Sequence, residues 1–287
     1  MTALLVWIGG CSPSDSQVSQ HTYAVDTTSY AIPWEQIEVY MKAAPSPVQV
    51  AMWLRQEKVP FYGENLHDPT LAGRYSGLQG AANLGVYLTD MAYAHATAQY
   101  QKAYEYLSSV NRLASLYGVE DILSAERIKR LDRLQDQPDS VQKLFTQYYG
   151  EIQERLTETG QQAMLRHMIL GGWSESLHIV LTLLEKDPKS QPLAEVIFLQ
   201  KGLLPLLMKL YSVDTASSAA SREIVAHLAA IQGELEQVAI QEVGSTDATV
   251  QKGVIHMRFR QRVVLSPVQV QSLRRRLLPL RQFIVRV

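Results

Sequence analysis

Val86, Asp90, Tyr93, Thr97, Tyr100, Tyr104 and Leu107 recur at steps of three and four, so in a helix they fall on one face. That face sets a carboxyl group within a stripe of tyrosines. If the stripe is buried, Asp90 needs hydrogen-bond donors, and Tyr87, Tyr93 or a tyrosine of a neighbouring helix can supply them. Two chemistries suit this arrangement: an acid of raised pKa lining a ligand pocket, or a polar clasp that fixes the register of two helices. A second group lies further on, where His167, Gly171, Ser174 and His178 share a helical face and Glu175 stands three residues before His178. His167 and His178 are roughly 16 Å apart along such a helix, too far to share one metal ion. Gly171 and Gly172 in mid-helix predict close approach of another helix or a ligand, and Trp173 beside them reads as a core anchor.

Other catalytic signatures are missing. The chain has no G-x-S-x-G, no phosphate-binding Gly-Lys-Ser/Thr loop, no H-E-x-x-H and no dinucleotide fingerprint. Its seven histidines show no zinc-site spacing, so no metal or cofactor is expected.

Cys11 is the only cysteine, which rules out an intramolecular disulfide. It follows a short apolar run, Ala3 to Ile8, and the small pair Gly9-Gly10, the order of a secretory signal and its processing site. The stretch resembles the lipobox of bacterial lipoproteins, which implies that Cys11 is acylated on sulfur and becomes the mature N-terminus once residues 1 to 10 are removed. No Lys or Arg precedes the run, so the natural start is expected upstream. Residues 11 to 32 are rich in Ser, Thr, Asp and Gln, a tether composition, and Ser12 resembles the sorting context for the outer membrane.

The elements that must position Asp90 and Glu175 read as helices almost throughout residues 33 to 287, taken as one domain. Expected are a helix from Pro33, one capped by Ser46-Pro47, and one of thirty-odd residues ending at Gly118. Others span about 124–135, 138–159, 161–186, 190–213 and 217–243, and a last one starts at Ser266-Pro267. Residues 244 to 253 read as a connector, and the alternation in "VIHMRFRQRVVL" predicts a strand, for which residues 21 to 30 are one candidate partner. The fold class is therefore all-α, a multi-helix bundle of antiparallel hairpins with a short C-terminal strand. No later run is apolar for the eighteen residues of a membrane span.

With 46% hydrophobic and 19% charged residues the chain is globular, and a net charge of −1 gives no sign of a nucleic-acid binder. Charge is unevenly placed. Every acidic residue lies at or before Asp247, whereas Lys252, Arg258, Arg260, Arg262, Arg274, Arg275, Arg276, Arg281 and Arg286 follow it. Either this basic segment, 252–287, folds back on an acidic body, or it faces a protein partner or anionic lipid.

The stretches "GVYLTDMAYAHATAQYQKAYEYLSSVNRLASLYGV" and "GGWSESLHIV" resemble a set of helical lipoproteins of Bacteroidota. In these a G-V-Y-x-x-D-x-x-Y helix and a G-x-W-x-E-x-L helix recur, matched here by Tyr87, Asp90, Tyr93, Trp173 and Glu175. The resemblance implies an α-helical domain in the cell envelope and implies no reaction. Two expectations follow: a lipid-anchored, non-enzymatic binding or scaffolding protein of the outer membrane, or an envelope hydrolase with an acidic site around Asp90 and Glu175.

Overall fold

The structure is a computed structural model that describes residues 46–134, 136–212, 218–242, 247–251, 254–258 and 261–287. Cys11, the tether and the expected helix from Pro33 lie outside these residues.

The chain is an all-α bundle with a short β element. Its helices are α1 (Pro47–Gln56), α2 (Gly77–Ala96), α3 (Tyr100–Ala114), α4 (Ala125–Arg133), α5 (Pro138–Glu158), α6 (Gln162–Lys186), α7 (Gln191–Ser212), α8 (Ala219–Leu235) and α9 (Pro267–Val285). Local signals set several of the starts. Ser46 Oγ accepts from the Gln49 N–H at 3.2 Å ahead of Pro47, and Ser266 with Gln269 forms a reciprocal capping box ahead of Pro267.

Two helices make the centre. Every residue of α2 from Gly80 to Ala96 is buried, as are nearly all of α6 from Leu165 to Leu184, so both are enclosed on all sides. They pack on each other more extensively than any other pair, with α1, α3 and α9 against them. A Cβ on Gly85 would lie 1.9 Å from the Met168 carbonyl oxygen, and one on Gly171 would lie 1.9 Å from that of Ala82. Backbone touches backbone there, and the mid-helix glycines are what permit it. A Cβ on Gly172 would sit 2.7 Å from Pro47 Cγ, so α1 joins the same crossing.

The expected thirty-odd-residue helix is two helices. It stops at Ala96, and Ala98 takes a left-handed φ of 59° at a position usually held by glycine. Gln99 N–H then closes on the Ala94 carbonyl at 2.8 Å, and Thr97 Oγ1 donates to that of Tyr93 at 2.8 Å. No glycine or proline marks the break. The packing of α3 back along α2 outweighs the roughly 1–2 kcal/mol that a left-handed alanine costs.

The β element also departs from expectation. The helix expected to reach 243 ends at Leu235, and its tail becomes β1 (Ala239–Glu242). The expected connector holds β2 (Asp247–Gln251), which pairs antiparallel with β3 (Val254–Arg258), while β4 (Gln261–Val264) pairs antiparallel with β1. The expected single strand is thus divided, and its partners come from the segment just before it. A nearby partner closes a shorter loop than residues 21 to 30 would, at lower entropic cost. No helix of the described residues is long and apolar enough to cross a membrane.

Candidate functional site

Asp90 on α2 and Glu175 on α6 are both fully buried, and they meet one turn beyond the glycine crossing. Arg281 of α9 reaches them from outside the sequence motifs. Its Nε donates to one Glu175 oxygen at 2.7 Å and its Nη2 to the other at 2.9 Å, a bidentate pair that occupies the whole carboxylate edge. Asp90 Oδ2 accepts the backbone N–H of His67 at 3.1 Å, and its Oδ1 is buried with no hydrogen-bond partner among the described residues.

The two carboxyl groups are driven apart. Burial and then the Glu175 charge push Asp90 well above the usual carboxylate range. Burial pushes Glu175 up too, but the Arg281 charge and hydrogen bonds outweigh it and hold Glu175 below its ordinary value. Burial beside the Glu175–Arg281 ion pair therefore favours the protonated form of Asp90.

Two histidines flank the pair and are neutral. Burial pulls His67 down to about 4, opposed by Glu175 and assisted by Arg281. Its ring stacks on Tyr87 with centroids 5.3 Å apart, and its Nε2 lies 2.8 Å from the Tyr75 hydroxyl. Since that hydroxyl donates to the Val285 carbonyl at 2.8 Å, His67 Nε2 is the donor to Tyr75. His178, also lowered by burial, donates from Nε2 to the Asn65 carbonyl at 3.1 Å.

The tyrosine stripe does something other than hold Asp90. Tyr87 donates to the Asp68 carbonyl at 2.8 Å, and Tyr93 donates to that of Pro60 at 2.9 Å while accepting from the Tyr62 N–H at 3.2 Å. These hydroxyls pin the segment between α1 and α2 onto the core, and among the described residues no tyrosine hydroxyl bonds Asp90. Tyr100 stands beyond the break, edge-on to His95. Trp173 is a buried core residue, 2% exposed.

The basic segment folds back on the body. Besides Arg281, Arg274 pairs with Glu185, and Arg276 with Glu234 at 3.3 Å. The end of α9 is sewn down as well, since Asn83 donates to the Ile284 carbonyl at 2.9 Å, Tyr75 to that of Val285, and Gln79 to that of Arg286. Those are the acceptors a helix C-terminus leaves without partners. Arg262 and Arg275 are exposed, whereas Arg260 and the Arg258 side chain lie outside the described residues.

Arg281, His67, Tyr75 and Asn83 escape the sequence reading. One signal for Arg281 is present: Val270, Leu273, Leu277, Leu280 and Ile284 form the buried stripe of α9, and position 281 falls within it, four residues after Leu277. Among the described residues no group of three His, Cys, Asp or Glu side chains suits a metal ion. Comparison with protein families, with characterised proteins and with solved structures finds no match.

Proposed function

We propose that this is a lipid-anchored cell-envelope protein whose helical domain binds or scaffolds a partner without catalysing a reaction. The observation that carries the non-enzymatic reading is the state of the acidic cluster. Asp90 and Glu175 are each 0% exposed, and both Glu175 oxygens are taken by Arg281. A general acid or nucleophile must reach its substrate, whereas a satisfied, enclosed ion pair is suited to fixing which helices meet. A hydrolase acting through these carboxylates would need Arg281 to leave Glu175 buried and unpaired, a state worth several kcal/mol.

The anchor rests on Cys11 and its flanking residues, with the polar stretch to residue 32 as spacer. The matching of Arg274, Arg276 and Arg281 inside the domain leaves fewer charges on α9 for anionic lipid, so the lipid on Cys11 supplies the membrane affinity. The test is fractionation of cells expressing the full chain in a bacterium with the lipoprotein pathway. The wild type is expected in the membrane fraction and Cys11→Ala in the soluble one; a C11A protein that stays with the membrane overturns the anchor.

A further inference from the structure

Tyr93 holds one wall of an open cleft. Its hydroxyl donates to the Pro60 carbonyl at 2.9 Å and accepts the Tyr62 N–H at 3.2 Å, so the segment that leaves α1 is fixed on both sides of Phe61. The opposite wall is the turn from α6 to α7. There the Asp187 N–H closes on the Leu183 carbonyl at 2.9 Å, the Ser190 N–H on that of Asp187 at 3.2 Å, and Ser190 Oγ accepts from the Leu193 N–H at 3.4 Å. Between these braced walls lies a space of about 450 Å³, within the roughly 300–1,000 Å³ of small-molecule sites.

The lining joins apolar surface to charges of both signs. Leu183 and Leu193, each 3% exposed, contribute with Val59, Pro60 and Pro192. Each wall also brings one carboxylate and one ammonium: Glu57 and Lys58 where α1 ends, Lys186 and Asp187 where α6 ends. All four residues are exposed, and none of them forms an ion pair among the described residues. Lys186 lies instead over the Tyr62 ring, 5.5 Å from its centroid, and so reaches from one wall to an aromatic residue of the other.

We propose that this cleft binds a short peptide as its zwitterion, the free carboxylate met by the lysines and the free ammonium by Glu57 and Asp187, with the apolar lining taking its side chains. Unpaired charges of both signs in equal number select a ligand that carries one of each. A simple anion would come to rest beside Glu57 and Asp187, and a simple cation beside Lys58 and Lys186, each at a like-charge cost. An uncharged apolar ligand would cover the four charges without pairing them. The site shares no residue with the Asp90–Glu175–Arg281 cluster and does not depend on the anchor at Cys11.

Calorimetric titration of the full chain with the tripeptide Ala-Leu-Ala, its N-acetyl form and its C-terminal amide tests the proposal. The free tripeptide is expected to bind on the order of tenfold more tightly than either blocked form, the effect of one charge-assisted contact. Lys58→Gln with Lys186→Gln is expected to abolish the preference over the amide, and Glu57→Gln with Asp187→Asn the preference over the acetyl form. Because the four residues are exposed, both double variants are expected to fold as the wild type does. No binding of the free tripeptide, a blocked form that binds as tightly, or a preference that survives in either double variant would each overturn it.

Discussion

The surroundings of Asp90 favour its protonated form over the carboxylate. Burial and the Glu175 charge raise its pKa, so the native state holds a proton that the unfolded chain releases above about 4. The native state then binds more protons than the unfolded one, and this residue's contribution to stability falls as pH rises from about 4 towards the native pKa. Asparagine copies the protonated form, being neutral and keeping an oxygen for the His67 N–H. Asp90→Asn is therefore expected to unfold at pH 7 with at least the wild-type stability, its advantage shrinking as pH is lowered to 4 in urea titrations. A loss of more than about 2 kcal/mol at pH 7 would mean that the charged form is the native one. Asp90 itself is legible from its spacing in a tyrosine stripe, but its partners are not. Tyrosines are the donors nearest in sequence, whereas the groups that set its state, Glu175 and Arg281, are brought to it by folding, and Arg281 is 106 positions from Glu175.

Among the elements, α2 and α6 bring those residues together, and the crossing depends on two missing side chains. Gly85→Ala or Gly171→Ala would drive a methyl group to 1.9 Å from a backbone oxygen. Each is expected to lose more than about 3 kcal/mol in denaturant unfolding or to fail to fold, because backbone cannot yield as a side chain does. Gly150, also inside a helix, has nothing within 4 Å of its would-be Cβ, and Gly150→Ala should instead gain roughly 0.5–1 kcal/mol. Equal effects at the three sites would contradict the crossing. Most helix limits follow from caps, prolines and period, and the close approach at Gly171-Gly172 from two glycines in mid-helix. The turn at Thr97-Ala98-Gln99 leaves no such trace, because an alanine takes the left-handed position and tertiary packing decides. The strand pairing is equally hidden, since the tail of α8 continues a helical pattern into what folds as β1.

At the level of the whole molecule, the charge asymmetry of the chain is met in part within the domain, with Arg274, Arg276 and Arg281 paired and Arg262 and Arg275 exposed. The acid-free end returns to Glu175, Glu185 and Glu234, and α2 side chains together with Tyr75 take up the carbonyls at the close of α9. The direction of that match is visible in the placement of charges; its registry is not, because Arg281 differs from the exposed Arg275 only in lying on the apolar stripe. The account turns on the Glu175–Arg281 pair joining α6 to α9 as structure instead of serving a reaction. A double-mutant cycle of equilibrium unfolding at pH 7 measures this directly. Arg281→Met alone is expected to cost about 3–5 kcal/mol by leaving Glu175 buried without its partner, and Glu175→Gln combined with R281M to return to within about 1.5 kcal/mol of the wild type. An R281M protein as stable as the wild type, or a double variant that loses the sum of the single losses, would contradict it.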